Sequence, residues 1–559
     1  MNATLFVATA PASLLALVLL LPVSMLVAIP FLPAPSRGLL LPLAAAPALA
    51  AALLLPDGAE LVAPLLPTGL TLGMDTLTRA FLLPAALIWL VAGWMARQLH
   101  PNLSASPVFG VLWLCALEGN LLLILAQDLL ALYTGIALMT FAALGWVVIE
   151  RTPQALAAGR VYLAMMLAAE LALFVAVAAL VVGAGGDTRF EALPAALSGP
   201  IAGLLALAFG LKLGVLGLHG WLPRAHPVAP VAASAVLSGV MIKAGMLGWL
   251  RVVEPAGEGF APTLAGLLVA LGLAGALYGV LRGLMVRDPK VLLAWSSVSQ
   301  MGLLTVFAGL VLLPGAAAGA AVASILLFVV HHGLAKAALF LGVGLLAALQ
   351  GRRRFRVWVL LWLPALALAA APGTSGVFVK AALDQALADA GADGVLNGLV
   401  FVSSIASALL MLRFLALTRR LPVANPTQTP AGMWALEWPW LLLLGGMLGL
   451  PWLMFQDAPF FQAAASQAEQ WAALLPWLAA LLLLALARYA PIRGWMRRAG
   501  AWRPAWLLAR PLDALWPGRF PGVFRLANWE RRLHAWSLIG RAVVLVTLAL
   551  VAAIGYGRV

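Results

Sequence analysis

Five lysines are the residues of this chain whose type and placement point most directly to chemistry. Of 34 lysines and arginines, five are lysines. Arginine stays protonated when it is buried, whereas a buried lysine can release its proton. A charge at bilayer depth costs roughly 3 kcal/mol on insertion scales, so such residues usually have a function. The lysines therefore predict a row of amines that pass protons through a membrane, and they are Lys212, Lys243, Lys290, Lys336 and Lys380.

A structural role is the alternative for each lysine. Lysines near helix ends often extend to the surface or bond a carbonyl or carboxylate group. Four of the five lie within predicted membrane spans, more than a turn from a loop, which favours proton transfer there. Lys290 follows Asp288 and Pro289 at the start of a span, and both interpretations stay open for it.

Other titratable side chains accompany the lysines. His332 precedes Lys336 by four residues, so the two share a helix face and can exchange a proton. His331 points away by about 100 degrees and is interpreted as structural. Glu118 and Glu170 lie deep in apolar stretches, where the cost of burial predicts a function rather than a structural hydrogen bond.

Residues that interrupt helices flank two of the lysines. Lys212 lies in AFGLKLGVLGLHGWLP (208–223), and Lys380 ends AAPGTSGVFVK (370–380). Interrupted spans in the two halves of a transporter mark its ion path, because freed backbone groups need protein or water partners. Close packing of helices is the alternative for the glycines of the first stretch. Gln300 and its neighbouring serines could hold a water wire or bond carbonyls of their own helix.

The composition defines the elements that must hold these side chains. The chain has 559 residues, of which 64% are hydrophobic and 10% are charged, and its mean hydropathy is +1.04. These values predict an all-α polytopic membrane protein with about 16 transmembrane helices. The apolar runs are continuous rather than alternating, so we expect helices and not strands. The predicted spans start at residues 4, 37, 77, 105, 128, 157, 197, 231, 260, 289, 316, 355, 394, 436, 469 and 537.

Charge is distributed unevenly between the loops. Basic residues fall on alternate loops and acidic residues on the others, so the net charge of +14 follows from the positive-inside rule. This topology predicts a bacterial inner-membrane protein with both termini on the periplasmic side, and it removes the case for nucleic-acid binding. The single cysteine, Cys115, lies in the fourth span. Without a Cys/His cluster or a nucleotide motif, we expect no catalytic centre, metal or cofactor in this chain itself.

Four longer stretches around the lysines share one family pattern. They are KLGVLGLHGWLPRAHPVAPVAASAVLSGVMIK (212–243), RDPKVLLAWSSVSQMGLL (287–304), HHGLAKAALFLGVG (331–344) and APGTSGVFVKAALD (371–384). These stretches resemble the antiporter-like subunits of respiratory complex I, of Mrp-type cation/proton antiporters and of membrane-bound hydrogenases. Within that family they look most like the large membrane subunits of formate-hydrogenlyase and hydrogenase-4 complexes.

The resemblance implies a core of 14 helices with two inverted five-helix repeats, each containing a broken helix. Lys212 and Lys380 would lie on the broken helices, Lys243, Lys336 and His332 on a hydrated central axis, and Lys290 near its cytoplasmic side. The implied organisation is N-terminal helices (1–104), first repeat (105–254), second repeat (260–417), additional helices (418–490), a cytoplasmic-side amphipathic Arg/Trp-rich segment (491–536) and a C-terminal helix (537–559). The Arg/Trp-rich segment suits contact with the lipid bilayer, or docking to a partner subunit.

One position departs from the family pattern. The fifth helix of most members carries a glutamate in a Trp-Glu motif, which pairs with the lysine of the first broken helix. The aligned stretch LYTGIALMTF (132–141) has Ile136 and Ala137 instead. Glu118 or Glu170 could replace the missing carboxylate, and the sequence does not decide between them.

Three functions fit these features. The first is a proton-translocating subunit of a redox-driven complex, with other membrane and peripheral subunits as partners. The second is the membrane subunit of a proton-coupled bicarbonate or CO2 uptake system, with a large soluble zinc protein as partner. The third is a scaffold that has lost pumping, which the missing glutamate favours and the five retained lysines oppose.

Overall fold

The structure is a computed structural model of the chain. It describes residues 10–63, 69–256, 261–313, 316–391, 394–423, 436–458, 461–462 and 465–488. The predicted Arg/Trp-rich segment and the C-terminal helix lie outside the described residues.

Long apolar helices dominate the described part of the chain. Thirteen helical stretches, some of them made of two consecutive helices, are long and apolar enough to cross a membrane, and each coincides with a predicted span. They confirm an all-α polytopic membrane protein. In chain order the helices are α1 (Ala10–Ala28), α2 (Ala34–Leu43), α3 (Ala46–Leu54), α4 (Thr76–Leu99), α5 (Pro101–Ser104), α6 (Pro107–Leu125), α7 (Leu129–Val148), α8 (Pro153–Gly183), α9 (Gly199–Leu213), α10 (Leu222–Val228), α11 (Val231–Gly239), α12 (Ala244–Val252), α13 (Pro262–Gly283), α14 (Pro289–Leu310), α15 (Ala316–Ala348), α16 (Gly351–Leu360), α17 (Trp362–Leu368), α18 (Ser375–Asp389), α19 (Gly394–Arg419), α20 (Trp438–Phe455), α21 (Gln467–Ala472) and α22 (Leu474–Arg488).

A short hairpin is the exception to the helical prediction. Strands β1 (Ala59–Ala63) and β2 (Leu70–Met74) pair antiparallel between α3 and α4. Asp128 caps α7 and also accepts a hydrogen bond from the Thr71 amide at 2.9 Å. The hairpin is too short to show the hydropathy signal of a membrane span, which explains why the sequence analysis missed it.

Glycines bring the central helices into close contact. A Cβ atom at Gly302 would lie 2.5 Å from the Ala276 amide nitrogen, and one at Gly279 would lie 2.5 Å from that of Ser299. Side chains at these positions would separate α13 from α14. Because lipid tails are as apolar as leucine, such backbone contact and van der Waals packing hold membrane helices together.

Both predicted helix breaks are present. The first lies between α9 and α10, where Gly214 and Gly217 have φ angles of 73° and 88°. The second separates α17 from α18, with Ala370 at φ 50° and Gly373 at φ 74°. Left-handed backbone of this kind ends a helix and is easiest for glycine.

A third interruption divides the span that contains Lys243. Helix α11 ends at Gly239, a 3-10 turn covers Met241–Lys243, and α12 begins at Ala244. Lys243 therefore lies in a helix interruption that the sequence analysis did not predict. Lys212 is the second-last residue of α9, directly before the first predicted break. Lys336 and Lys380 lie inside their helices, as predicted.

Candidate functional site

The first lysine site is a buried ion pair. The Lys212 ammonium lies 2.5 Å from Glu170 Oε1 on α8 and 2.6 Å from Thr140 Oγ1 on α7. The side chains of Lys212 and Glu170 are only 4% and 5% exposed. The Thr140 hydroxyl in turn donates a hydrogen bond to the Ile136 carbonyl at 2.6 Å. Glu170 therefore supplies a carboxylate that α7 lacks, and Thr140, one turn beyond the aligned position, supplies a second oxygen.

Aromatic side chains enclose this pair. The Tyr162 hydroxyl donates to the Thr140 carbonyl at 3.3 Å, and its ring meets the Trp221 ring edge to face at 5.4 Å. The Trp221 indole donates to the Leu211 carbonyl at 2.9 Å, next to Lys212 and across the break. These contacts hold the end of α9, and with it the amine, in one position.

Glu118, the other acidic candidate, does not contact Lys212. It is buried on α6, and its Oε2 has no hydrogen-bond partner among the described residues. A buried carboxylate oxygen without a partner makes the ionised form of the group costly. Glu118 therefore remains a candidate proton carrier, but the structure pairs Lys212 with Glu170.

Lys243 is held by carbonyl groups that the interruption frees. Its ammonium donates to the carbonyls of Ser238 and Gly239 at 2.9 and 2.7 Å. The side chain is 1% exposed, and no carboxylate contacts it among the described residues. A cavity of about 10 Å³ between Lys243 and Asn120 has room for about one water molecule.

Lys336 and His332 lie next in this buried polar row. The Lys336 ammonium donates to the Leu293 carbonyl at 2.8 Å. Neither ring nitrogen of His332 has a hydrogen-bond partner in the described part of the chain, and its ring stacks on Phe328 at 5.3 Å. Both residues lie within range of the charge on Lys243, so a proton on one changes the energy of a proton on the next.

Lys290, the second residue of α14, bonds the backbone at the end of α10. Its ammonium donates to the Ala229 and Pro227 carbonyls at 2.6 and 3.2 Å, and these groups end α10. That geometry supports the structural interpretation, although His226 lies within range of its charge. His226 is fully buried, and its ring nitrogens have no hydrogen-bond partner among the described residues.

The second broken helix carries a different lysine site. The Lys380 ammonium lies 3.0 Å from Asp384 Oδ2, one turn later on α18. These side chains are 17% and 42% exposed, so this pair is far less enclosed than the pair at Lys212. A cavity of about 50 Å³ beside Lys380 has room for a few water molecules, and its polar lining includes Gln300, His331, Ser403, Ser404 and Ser407.

His331 joins the central helices to this second site. Its Nδ1 lies 2.8 Å from Ser375 Oγ, at the first residue of α18, and its ring lines the cavity beside Lys380. Sequence reasoning set His331 aside because it points away from Lys336. The signal for its role was available, because a neighbour rotated by 100 degrees can serve a second polar site.

The sequence analysis missed three more residues of the site. Thr140 and Asp384 bond the two broken-helix lysines directly, and His226 lies within range of the charges on Lys290 and Lys336. The signal for Asp384 was its spacing of four from Lys380. No local pattern marks Thr140, because threonine is common in membrane helices.

Among the residues that the structure describes, no group of three His, Cys, Asp or Glu side chains is placed to hold a metal ion. The site is instead a series of buried amines, imidazoles and carboxylates. Such groups can accept and release protons, with water in the cavities to bridge the gaps between them.

The fold and the site define a multi-pass helical membrane protein with buried titratable groups at interrupted helices. The sequence profile of the family described as NADH:quinone oxidoreductase/Mrp antiporter, TM matches residues 126–409. The match covers half of the chain, and the chain belongs to this family. It is an antiporter-like membrane subunit of the complex I, Mrp and hydrogenase type.

Individual relatives agree with this assignment. Hydrogenase-4 component B of Escherichia coli is 41% identical over 153 residues, which are 25% of this chain and 22% of the relative. NADH-quinone oxidoreductase subunit M of the same species is 36% identical over 178 residues, which are 31% of this chain and 33% of the relative. The matched regions therefore span a third or less of these relatives.

Solved structures share the fold over most of the chain. A chain of the Mrp complex from Dietzia sp. DQ12-45-1b has a TM-score of 0.72 at 23% identity, and the match covers 98% of this chain and 63% of that one. A chain of respiratory complex I from Thermus thermophilus has a TM-score of 0.66 at 25% identity, with coverage of 83% and 99%.

Proposed function

We propose that the chain is a proton-translocating subunit of a multisubunit, redox-driven complex in a bacterial inner membrane. The buried pair of Lys212 and Glu170 at the first helix break is the observation that carries this proposal. Two charges in a membrane interior are expensive to retain for structure alone. When an amine and a carboxylate are in contact, a proton can instead lie on either of the two groups.

The central axis would carry protons between the two broken helices. Lys243, His332 and Lys336 are buried, and each lies within range of another's charge. When one amine gains a proton, repulsion favours release from its neighbour. A change of charge at one end of the row can therefore move protons along it without a large change of fold.

At the second broken helix, protons would be released through the cavity beside Lys380. His331 and Gln300 line the cavity on the side of the central helices, and Asp384 lies on the more exposed side of Lys380. The graded exposure, from buried imidazole through a half-buried amine to an exposed carboxylate, supports release in this direction. The inverted repeats implied by sequence would relate this site to that at Lys212.

The chemistry favours protons over Na⁺. Hard cations are bound by oxygen ligands, whereas amine and imidazole groups dominate this row. The two relatives named above are a component of hydrogenase-4 and a subunit of NADH-quinone oxidoreductase. Partners of this chain would accordingly include membrane subunits and a peripheral electron-transfer module.

The first test is purification of the tagged complex from its native membrane in mild detergent, with mass spectrometry of the copurifying subunits. Subunits that bind iron-sulfur clusters are the expected result. A single large soluble zinc protein would overturn redox coupling and assign the chain to inorganic-carbon uptake. Recovery of the chain alone would also count against the proposal.

The second test measures proton uptake into inverted membrane vesicles by quenching of a ΔpH-sensitive dye. NADH, hydrogen and formate are supplied in turn as electron donors. Lys336→Met should abolish uptake while electron transfer persists, because the axis loses an amine. Arg352→Gln, a change of an exposed charge, is the matched control. Normal uptake by Lys336→Met would refute a path through the central axis.

A further inference from the structure

The second helix break is bonded to a segment about 100 residues further along the chain. The Trp477 indole on α22 donates to the Ala369 carbonyl at 3.1 Å. The Gly373 amide donates to Gln470 Oε1, on α21, at 2.7 Å. Ala369 and Gly373 lie in the interruption between α17 and α18, where backbone groups have lost their helical partners.

The first break is satisfied differently. Its Leu211 carbonyl accepts from Trp221, and its Gly217 amide donates to His219 Nδ1 at 3.2 Å. These partners lie within ten residues of the groups they bond. The first break is therefore closed by its own residues, whereas the second depends on α21 and α22.

Residues near α21 and α22 also pack against the start of α18. Ala473, between α21 and α22, is buried with Val377. The Phe378 ring stacks on Phe461 with centroids 3.7 Å apart and planes 5° apart. Trp477 itself is 7% exposed. The first turn of α18, which precedes Lys380, is thus held in place by residues from the later segment.

We propose that Gln470 and Trp477 form a latch that holds the second helix break closed and so keeps Lys380 in place beside the cavity. This inference rests on the proposed function, in which Lys380 releases protons through that cavity. Ala369, Ala370 and Gly376, residues of the break and of the start of α18, form part of the cavity wall. Release of the latch would let the break move and admit water to the amine.

The latch lies outside the part of the chain that matches the family profile, residues 126–409. Gln470 and Trp477 also lie outside the second repeat (260–417) that the sequence resemblance implies. An event that displaces α22 would change access to Lys380 without altering any residue on the central axis.

The test measures access to the cavity in the intact purified complex. Cys115 is first replaced by serine, and Ser404→Cys then places one thiol in the cavity wall. The rate of reaction with a water-soluble maleimide reports opening. Trp477→Phe and Gln470→Ala should each raise this rate about three- to tenfold, because one hydrogen bond shifts an open–closed equilibrium by about that factor.

Conservative changes separate a latch from a general loss of structure. Gln470→Glu keeps an acceptor oxygen for the Gly373 amide and should label at the original rate. Trp471→Phe changes an exposed neighbour on α21 and should do the same. Unchanged labelling in both latch variants, or equal acceleration by Trp471→Phe, would overturn the proposal. The labelling rate does not depend on pumping, so failure of the proton-transport proposal would be recognised separately by the vesicle assay.

Discussion

Replacement of Glu170 by glutamine should test the buried ion pair most directly. Lys212 and Glu170 are in contact at 2.5 Å and almost completely enclosed. Removal of one partner from such a pair costs about 3–5 kcal/mol, because the other charge stays buried. Lysine can avoid this cost by losing its proton, but at pH 7 that costs an ordinary lysine about 4.6 kcal/mol. The two routes agree, and we expect Glu170→Gln to lose about 3–5 kcal/mol.

The assay is thermal unfolding of the purified complex together with proton uptake in vesicles. Glu170→Gln should unfold at a lower temperature and lose proton uptake. A second change, Lys212→Met, removes the stranded amine, so the double variant should recover most of the stability but none of the uptake. Glu60→Gln, at an exposed position of β1, is the control for loss of a carboxylate.

The double-mutant cycle also defines the contrary result. If the destabilisation by Glu170→Gln and that by Lys212→Met add within about 0.5 kcal/mol, the two side chains do not interact. A stable Glu170→Gln variant with normal uptake would mean that the carboxylate serves neither stability nor transport. In that case Glu118 would become the first candidate for the missing acidic group.

Three further changes probe other parts of the site. A Cβ atom at Gly376 would lie 2.0 Å from the Ala367 carbonyl, so Gly376→Ala should displace α18, lower the unfolding temperature and abolish uptake. Lys290→Met leaves the carbonyl groups at the end of α10 without their donor, and we expect a loss of about 1–3 kcal/mol in thermal unfolding. Burial raises the pKa of Asp75, but the hydrogen bonds and charge of Arg251 lower it further, to a net value below 3.8. The stabilisation is therefore present at neutral pH and is lost progressively as the pH falls from about 4 through the lowered pKa, so Asp75→Asn should destabilise the protein at pH 7 and do so by less at pH 3.

Hydropathy alone predicts the membrane spans, because a helix must cover about 30 Å of hydrocarbon. The glycines and prolines near Lys212 and Lys380 predict the two breaks, since Gly214 and Gly373 take up left-handed backbone there. The interruption at Lys243 escapes prediction, because Ser238 and Gly239 are ordinary residues of a close-packed membrane helix. Only the ammonium that bonds their carbonyls reveals it.

Partners of the buried charges were harder to predict than their positions. Glu118 and Glu170 are equally deep in apolar stretches, and the choice between them depends on how α6 and α8 rotate against α9. That rotation is set by packing over the whole bundle and leaves no local signal. The latch on the second break could not be predicted from sequence for the same reason. Gln470 lies in a polar stretch and Trp477 in an apolar one, and neither stretch contains a motif.

A transfer of the carboxylate to α7 would test whether geometry, and not residue position, defines the first site. Thr140 already contacts Lys212, and Ala137 lies one turn before it on the same face of α7. In a Glu170→Gln background, Ala137→Glu should therefore restore a carboxylate to the amine, and with it much of the stability and uptake. Leu138→Glu adds the same charge on a different face and should restore neither. Rescue by both variants would mean that any nearby negative charge suffices, whereas rescue by neither would mean that the approach from α8 is itself required.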